Sequence, residues 1–426
     1  MLHLRRLIFL FLAGVLALSG LPASASSSVA PLTVATPSCD VLVTRDGTWD
    51  GLYKIATNGA ASEVKLGNHP IDVVASSDGR TGYVAGYGTG EVHVVDIVAM
   101  RKLASIKTEP AVISLVLSAD DSTLYAAATG GVHVIDTVTR KQTRFIALAS
   151  SPFAVELSPD GTVLYAALAF DNSLAVVDLP TGSIRSAAVP ASAESAVLSP
   201  DGRFLYVTHR DIDKLSRIRT SDLRVDTVDV GDAPRGIDIT PNGSEVYVVN
   251  QDAHTVSVVD TQTLTSATIA VGDGAYDVTI DADGKRAYVN NYWEDSMSII
   301  DTTSRTVIGS LPLGAVNASW GIDTACRGAV TPARPGAVKN LSTFANFFCG
   351  PCTTAWVLFI KPTNSTDFTV YSNGQPVSCA QKGYFFTLAL CQLTGLTPGV
   401  PMRLSVVPNN GSTFGATAST LLTLRP

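Results

Sequence analysis

Ser199-Pro200-Asp201-Gly202-Arg203-Phe204-Leu205-Tyr206-Val207-Thr208 writes a turn and a strand in consecutive residues. Proline presets φ for the turn, aspartate bonds the turn backbone, and glycine accepts a positive φ. The run that follows is aromatic and β-branched, as a strand requires. The same text recurs along the chain. Tyr83, Tyr125, Tyr165, Tyr206, Tyr247 and Tyr288 stand 42, 40, 41, 41 and 41 residues apart. Turns precede several of them: Ser77-Asp78-Gly79, Ser158-Pro159-Asp160-Gly161, Thr240-Pro241-Asn242-Gly243 and Asp281-Ala282-Asp283-Gly284. A further strand follows each, ending at Asp96, Asp136, Asp178, Asp260 and Asp301, with Arg219 in the remaining repeat. Short strands at this period are the signature of a β-propeller blade, which must pack against its neighbours around an axis to bury both faces. The fold class is therefore all-β.

Counting sets the blade number. Asp40 to Cys326 spans 287 residues, seven periods of 41. Val41-Leu42-Val43 aligns with a second strand and Gly321-Ile322-Asp323 with an innermost one. The spacing predicts a seven-bladed β-propeller whose blade one takes strands two to four from residues 41–66 and its first strand from residues 318–325. On the repeat alignment Cys39 and Cys326 fall at Ser244 and Pro241, three positions apart across one hairpin turn, which predicts a Cys39–Cys326 disulfide.

Composition bounds the rest. Hydrophobic residues make up 46% and charged ones 16%, which excludes disorder for most of the chain. Residues 26–326 carry 21 basic and 36 acidic side chains, whereas residues 327–426 carry seven basic and one acidic. An acidic body thus precedes a basic module. Arg5-Arg6, the apolar run from Leu7 to Leu18 and the Ala23-Ser24-Ala25 end read as a signal peptide over 1–25, followed by a linker over 26–38. Export to an extracellular, periplasmic or cell-surface location follows, with no mature transmembrane segment. The six cysteines of the mature chain then read as disulfide partners.

Leu205-Tyr206-Val207-Thr208 and Ala287-Tyr288-Val289-Asn290-Asn291 resemble the YVTN (YncE-like) family of bacterial propeller repeats, over residues 40–326. The resemblance implies the propeller fold for the domain 39–326 and specifies no reaction. After a Pro- and Gly-containing linker over 327–336, residues 337–426 resemble a fibronectin type III module, in Ala355-Trp356-Val357, Phe368-Thr369-Val370-Tyr371 and Leu393-Thr394-Gly395-Leu396-Thr397-Pro398-Gly399. Its alternating runs separated by Asn-Gly and Pro-Gly support a C-terminal β-sandwich independently. Cys349-Gly350-Pro351-Cys352 is the tetrapeptide of thioredoxin, but a strand-like run follows it, so Cys349, Cys352, Cys379 and Cys391 read as structural. Cys349–Cys352 with Cys379–Cys391 is one of three pairings open to them.

Zinc-helix, nucleophile-elbow, phosphate-loop and dinucleotide signatures are all absent, so no catalytic residue is assigned and the reading leans away from an enzyme. Aligned inner strands place Ile71, Ile113, Phe153, Glu194, Arg235, Tyr276 and Trp320 around one mouth. The half-ring Glu194, Arg235, Tyr276 and Trp320 suits a polar ligand against an aromatic wall, or is ordinary variation at a solvated rim. His69, in the loop entering an inner strand, and Trp293, in a loop joining strands two and three, complete the candidate binding set with Phe153. Three positions down, Glu156, Asp238 and Asp323 share a level; they could hold a divalent cation in the channel or bond backbone and water. No other cofactor is indicated. The expected function is an exported binding protein that recognises a peptide, glycan or envelope component, with the basic module as spacer or attachment. The alternative is a lactonase-like hydrolase using channel carboxylates and a divalent cation. Nucleic acid is disfavoured as a partner, because the acidic body offers no clustered basic surface.

Overall fold

A computed structural model describes residues 39–46, 50–67, 69–108, 111–313 and 319–326, and the backbone of the strands lying between residues 339 and 422. Seven four-stranded antiparallel sheets occupy the first part. Six are consecutive in sequence, with innermost strands Pro70–Ala75, Ser114–Leu117, Ala154–Leu157, Ala193–Leu198, Pro234–Ile239 and Ala275–Ile280 in blades two to seven. Blade one is composite: Ser319–Ala325 is its innermost strand and pairs with Asp40–Arg45, followed by Gly51–Ile55 and Ala61–Lys65. The register puts Leu42 opposite Asp323 and Val43 opposite Ile322, as the repeat alignment predicts. Cys39 and Cys326 close the ring as a disulfide with Cα atoms 4.6 Å apart.

Each strand alternates its side chains between two faces, and both faces of these strands are apolar because a blade stands between two others. The interior consequently divides into one apolar cluster per blade boundary. Tyr288, Met297 and Ile299 of blade seven meet Val41, Val43 and Ile322 of blade one; Leu42, Leu52 and Ala325 meet Val73, Val84 and Val95 of blade two. The repeat tyrosines Tyr206, Tyr247 and Tyr288 are among the largest fully buried side chains. The hydroxyls of Tyr83, Tyr165 and Tyr206 face the side chains of Thr137, Thr220 and Thr261, each in the following blade. That contact ties the tyrosine of one repeat to the threonine after the third strand of the next.

The opening decapeptide behaves as its composition requires. Gly202 N–H donates to the Ser199 carbonyl at 2.8 Å, Ser199 Oγ donates to Asp201 Oδ1 at 2.7 Å, and Phe204 N–H donates to Ser199 Oγ at 2.9 Å. Gly202 has φ +71°, and a Cβ there would lie 2.8 Å from Pro159 Cδ of the preceding blade's turn. Glycine is thus needed twice, for conformation and for turn-on-turn packing. The aspartates ending the third strands accept N–H bonds in the turns that follow, as Asp178 does from Thr181 at 2.9 Å and Asp260 from Thr263 at 2.7 Å.

Two antiparallel sheets are traced in the C-terminal part, one of Lys339–Ala345, Ala355–Ile360, Leu388–Leu393 and Gln381–Phe385, the other built around Asp367–Ser372 and Met402–Asn410. Residues 1–38 and the linker 327–336, Cys349, Cys352 and Cys379, and the side chain of Cys391 lie outside the described residues. No helix among the described residues is long and apolar enough to cross a membrane.

Candidate functional site

The innermost strands surround a channel of about 1610 Å³. Their outer edges pair within the blade; their inner edges face the channel and need partners for their N–H groups. Carboxylates supply them. Asp72 accepts from Val73 N–H at 2.8 Å and from Leu115 N–H of blade three at 2.7 Å. Asp238 accepts from Ile239 and from Ile280 of blade seven, both at 2.7 Å. Asp277 accepts from Val278 at 2.9 Å and Ile322 of blade one at 3.2 Å. Asp323 accepts from Thr324 and from Ala75 of blade two, both at 2.7 Å. The Glu156 carboxylate faces the Leu198 N–H of blade five. Each carboxylate is therefore a staple from one blade to the next.

Burial pushes Asp72 and Asp238 up to about 7 and Glu156 up to about 8; mutual repulsion adds to this and the N–H bonds oppose it. Burial also holds Asp277 well above the usual carboxylate range. All of them line the channel. Glu156, Asp238 and Asp323 do stand in the channel wall, as the sequence places them, with oxygens directed at backbone N–H groups. Among the described residues no group of three or more His, Cys, Asp or Glu is arranged to hold a metal.

Above the staples lies the mouth. His69, Phe153, Glu194, Arg235, Tyr276 and Trp320, six of the seven residues singled out from sequence, line the same cavity. Arg235 organises one side. Its Nη1 donates to Glu194 Oε1 at 2.6 Å and to Tyr276 Oη at 3.1 Å, and its Nε donates to Gln251 Oε1 at 2.6 Å. The guanidinium carbon sits 4.6 Å from the Tyr276 ring centroid, within cation–π range. Burial raises the Glu194 carboxyl, while Arg235 and Arg210 oppose that shift. An aromatic arc continues from there: Tyr276 to Trp320 at 4.9 Å, Trp320 to His69 at 5.3 Å, and His69 to Tyr87 at 5.5 Å. His69 Nδ1 contacts the Asp46 carboxylate. Tyr292 closes the arc from above, 5.5 Å from Trp320.

Trp293 departs from the expected set. It is 54% exposed, packs edge-on against His254 at 5.6 Å, and does not line the cavity. Its loop position was readable, but the direction of its side chain depends on the turn it occupies. Sequence reasoning did not single out Arg210, Gln251, Tyr87 or the staples Asp72 and Asp277. A signal for the last two exists: an acid flanked by apolar residues in a buried strand, as in Ile71-Asp72-Val73 and Tyr276-Asp277-Val278, must find a partner. Arg210 sits in the short helical turn Arg210–Ile212, and its buried Nε has no hydrogen-bond partner. The Trp320 Nε1 is buried and unpartnered in the same way.

Seven blades in a ring around a channel whose mouth is polar on one side define a seven-bladed β-propeller. Residues 186–273 match the family described as lactonase, seven-bladed β-propeller, a stretch that carries Glu194, Arg210, Arg235 and Gln251. No curated protein sequence matches the chain. Among solved structures, a periplasmic gluconolactonase of Pseudomonas aeruginosa is similar at 17% identity and TM-score 0.57, covering 68% of this chain and 99% of that one. A hydrazine synthase of Kuenenia stuttgartiensis is similar at 23% identity and TM-score 0.55, covering 59% and 89%. A functionally unknown protein from Desulfotomaculum acetoxidans is similar at 14% identity and TM-score 0.59, covering 68% and 99%. At these identities the likeness is one of fold.

Proposed function

We propose that the chain is an exported lactonase-like hydrolase acting at the propeller mouth. The observation that carries this reading is the position of the polar side of the mouth: Glu194, Arg210, Arg235 and Gln251 all fall in the segment that matches the lactonase propeller family. The Arg235 guanidinium and the Tyr276 hydroxyl are placed to donate to an oxyanion developing on a lactone carbonyl. Glu194, its pKa raised by burial, takes the proton from the attacking water and returns it to the ring oxygen as the acyl C–O bond breaks. No step is assigned to a metal, because the channel carboxylates bond backbone N–H groups. Export agrees with the Cys39–Cys326 disulfide, which an oxidising compartment preserves. The basic C-terminal module, read as a fibronectin type III-like sandwich, then serves as spacer or attachment.

A second reading, an exported protein that binds a glycan or peptide of the envelope without transforming it, draws on the aromatic arc from Tyr87 to Tyr276, which offers stacking surface independent of any chemistry. Titration of acid release from a lactone panel that includes glucono-δ-lactone separates the two. Hydrolysis that drops at least about a hundredfold in kcat/KM with Glu194→Gln supports the first; inactivity of the wild-type protein across the panel ends it.

A further inference from the structure

The mouth is chemically divided. Following the ring blade by blade, positions equivalent to Arg235 are Ile71, Ile113 and Phe153 in blades two, three and four, then Glu194, Arg235, Tyr276 and Trp320 in blades five, six, seven and one. Both arcs are continuous and all these residues line one cavity. Ile71, Ile113 and Phe153 are each only partly buried and present apolar surface to the channel, Ile71 also packing against the core between blades two and three. Two exposed aromatic residues extend that surface at the rim: Phe170, 75% exposed and 5.3 Å from the Phe153 ring, and Tyr87, 44% exposed. Phe170 is presented by the short helical turn Ala169–Asp171, which follows strand two of its blade. The opposite arc holds the guanidinium, carboxylate and phenol contacts already described.

A uniformly hydroxylated lactone fits one half of such a mouth. Its remaining hydroxyls would lose water against Ile71, Ile113 and Phe153 without gaining hydrogen-bond partners. We infer that the mouth takes an amphiphilic ligand, a lactone whose polar ring lies against Glu194, Arg235 and Tyr276 and whose alkyl or acyl chain lies along Ile71, Ile113 and Phe153 toward Phe170. This inference rests on the lactonase reading for the word lactone and on the divided ring for the chain. Continuity between the two arcs is what commits the apolar half to a tail of the same ligand. A chain leaving the polar arc meets apolar surface first inside the channel and then at the rim.

The test uses the mature full-length protein and γ-lactones with methyl, propyl and pentyl substituents, with glucono-δ-lactone as the polar reference. Hydrolysis is followed by acid release, and binding of the corresponding γ-lactams, which resist hydrolysis, by calorimetry. A fully buried methylene is worth about fourfold; for a chain lying at an open mouth, a gain of at least about tenfold from methyl to pentyl is expected in kcat/KM and in lactam affinity. Ile113→Ser and Phe153→Ser are expected to flatten that slope, lowering pentyl relative to methyl. Hydrolysis with no dependence on chain length, or a slope untouched by both variants, overturns the amphiphile inference and leaves the lactonase reading standing. Chain-dependent lactam binding without hydrolysis overturns the lactonase reading and leaves the divided mouth as a binding site. Absence of both overturns both.

Discussion

Removing the ring-closing disulfide gives the most quantitative prediction. Cys39→Ser with Cys326→Ser opens a covalent loop whose ends are 287 residues apart in sequence. In the chain-entropy relation, a loop of that length restricts the unfolded chain by about 19 cal/mol/K, or about 5.7 kcal/mol at 25 °C. Residual structure in so long an unfolded chain reduces the figure, so about 3–6 kcal/mol is expected. The folded state changes little, because the hydrogen bonds from Asp40 opposite Ala325 to Val43 opposite Ile322 and the clusters on both sides of blade one remain. The assay is urea unfolding of the oxidised wild-type and double-serine proteins, followed by intrinsic fluorescence. With a slope of about 3 kcal/mol/M, the upper end of the usual range, the midpoint should fall by about 1–2 M. An unchanged midpoint would refute the claim that this bond limits the unfolded state of a closed ring. A midpoint that falls together with loss of the β-sheet circular dichroism spectrum in buffer would show that hydrogen bonds and packing alone do not hold blade one.

Stability should also depend on pH in an unusual sense. Asp72, Asp238 and Glu156 have folded-state pKa values raised to about 7, 7 and 8, so the folded protein binds more protons than the unfolded chain above the ordinary carboxylate range. Their contribution is full only below the unfolded carboxylate pKa of about 4 and falls as pH rises to the folded values; thermal midpoints should be higher at pH 5 than at pH 8.5, and a midpoint that rises over this interval would contradict the assignment. The turn aspartates Asp96, Asp136, Asp260 and Asp301 are held below the usual range by turn hydrogen bonds and act in the opposite sense only in stronger acid. Asp238→Asn should flatten the pH dependence and lower stability at pH 5, since an amide cannot accept two N–H bonds with both its heavy atoms. Tyr206→Phe removes the hydroxyl that faces Thr261 while keeping the ring, and should cost about 1 kcal/mol in equilibrium unfolding; a neutral result would show that the ring alone matters. At the mouth, Arg235→Ala should lower kcat/KM for any turned-over lactone and destabilise the protein by about 1–3 kcal/mol, because Glu194 is left half-buried without its partner.

Much of the fold was legible because a propeller blade repeats its physical problem. Six of the seven units repeat the same turn after the inner strand and the same tyrosine to fill the space between blades, so self-comparison reads period, count and closure together. The composite first blade followed from phase alone: Val41 reads as strand two before any strand one has appeared. The mouth positions of Glu194, Arg235, Tyr276 and Trp320 were readable for the same reason, as substitutions at one aligned position. Trp293 was misplaced because a loop position does not fix a side-chain direction. Asp72 and Asp277 passed unnoticed because their hydrogen bonds cross to a blade about forty residues further on, and no local pattern records that crossing.

The sequence by itself determined the strand text, the number of blades, the ring closure with its disulfide, and which aligned inner-strand residues stand at the mouth. Those properties depend on local turn chemistry and on periodic burial, both written residue by residue. Only the tertiary structure decided what those residues do to one another. It made the channel carboxylates into staples between blades, gathered Glu194, Gln251 and Tyr276 around Arg235, brought Asp46 to His69, and split the mouth into apolar and polar arcs. The physical reason is that these contacts join residues a whole repeat or more apart, or across turns within one, and their distances are set by how seven twisted sheets close into one ring.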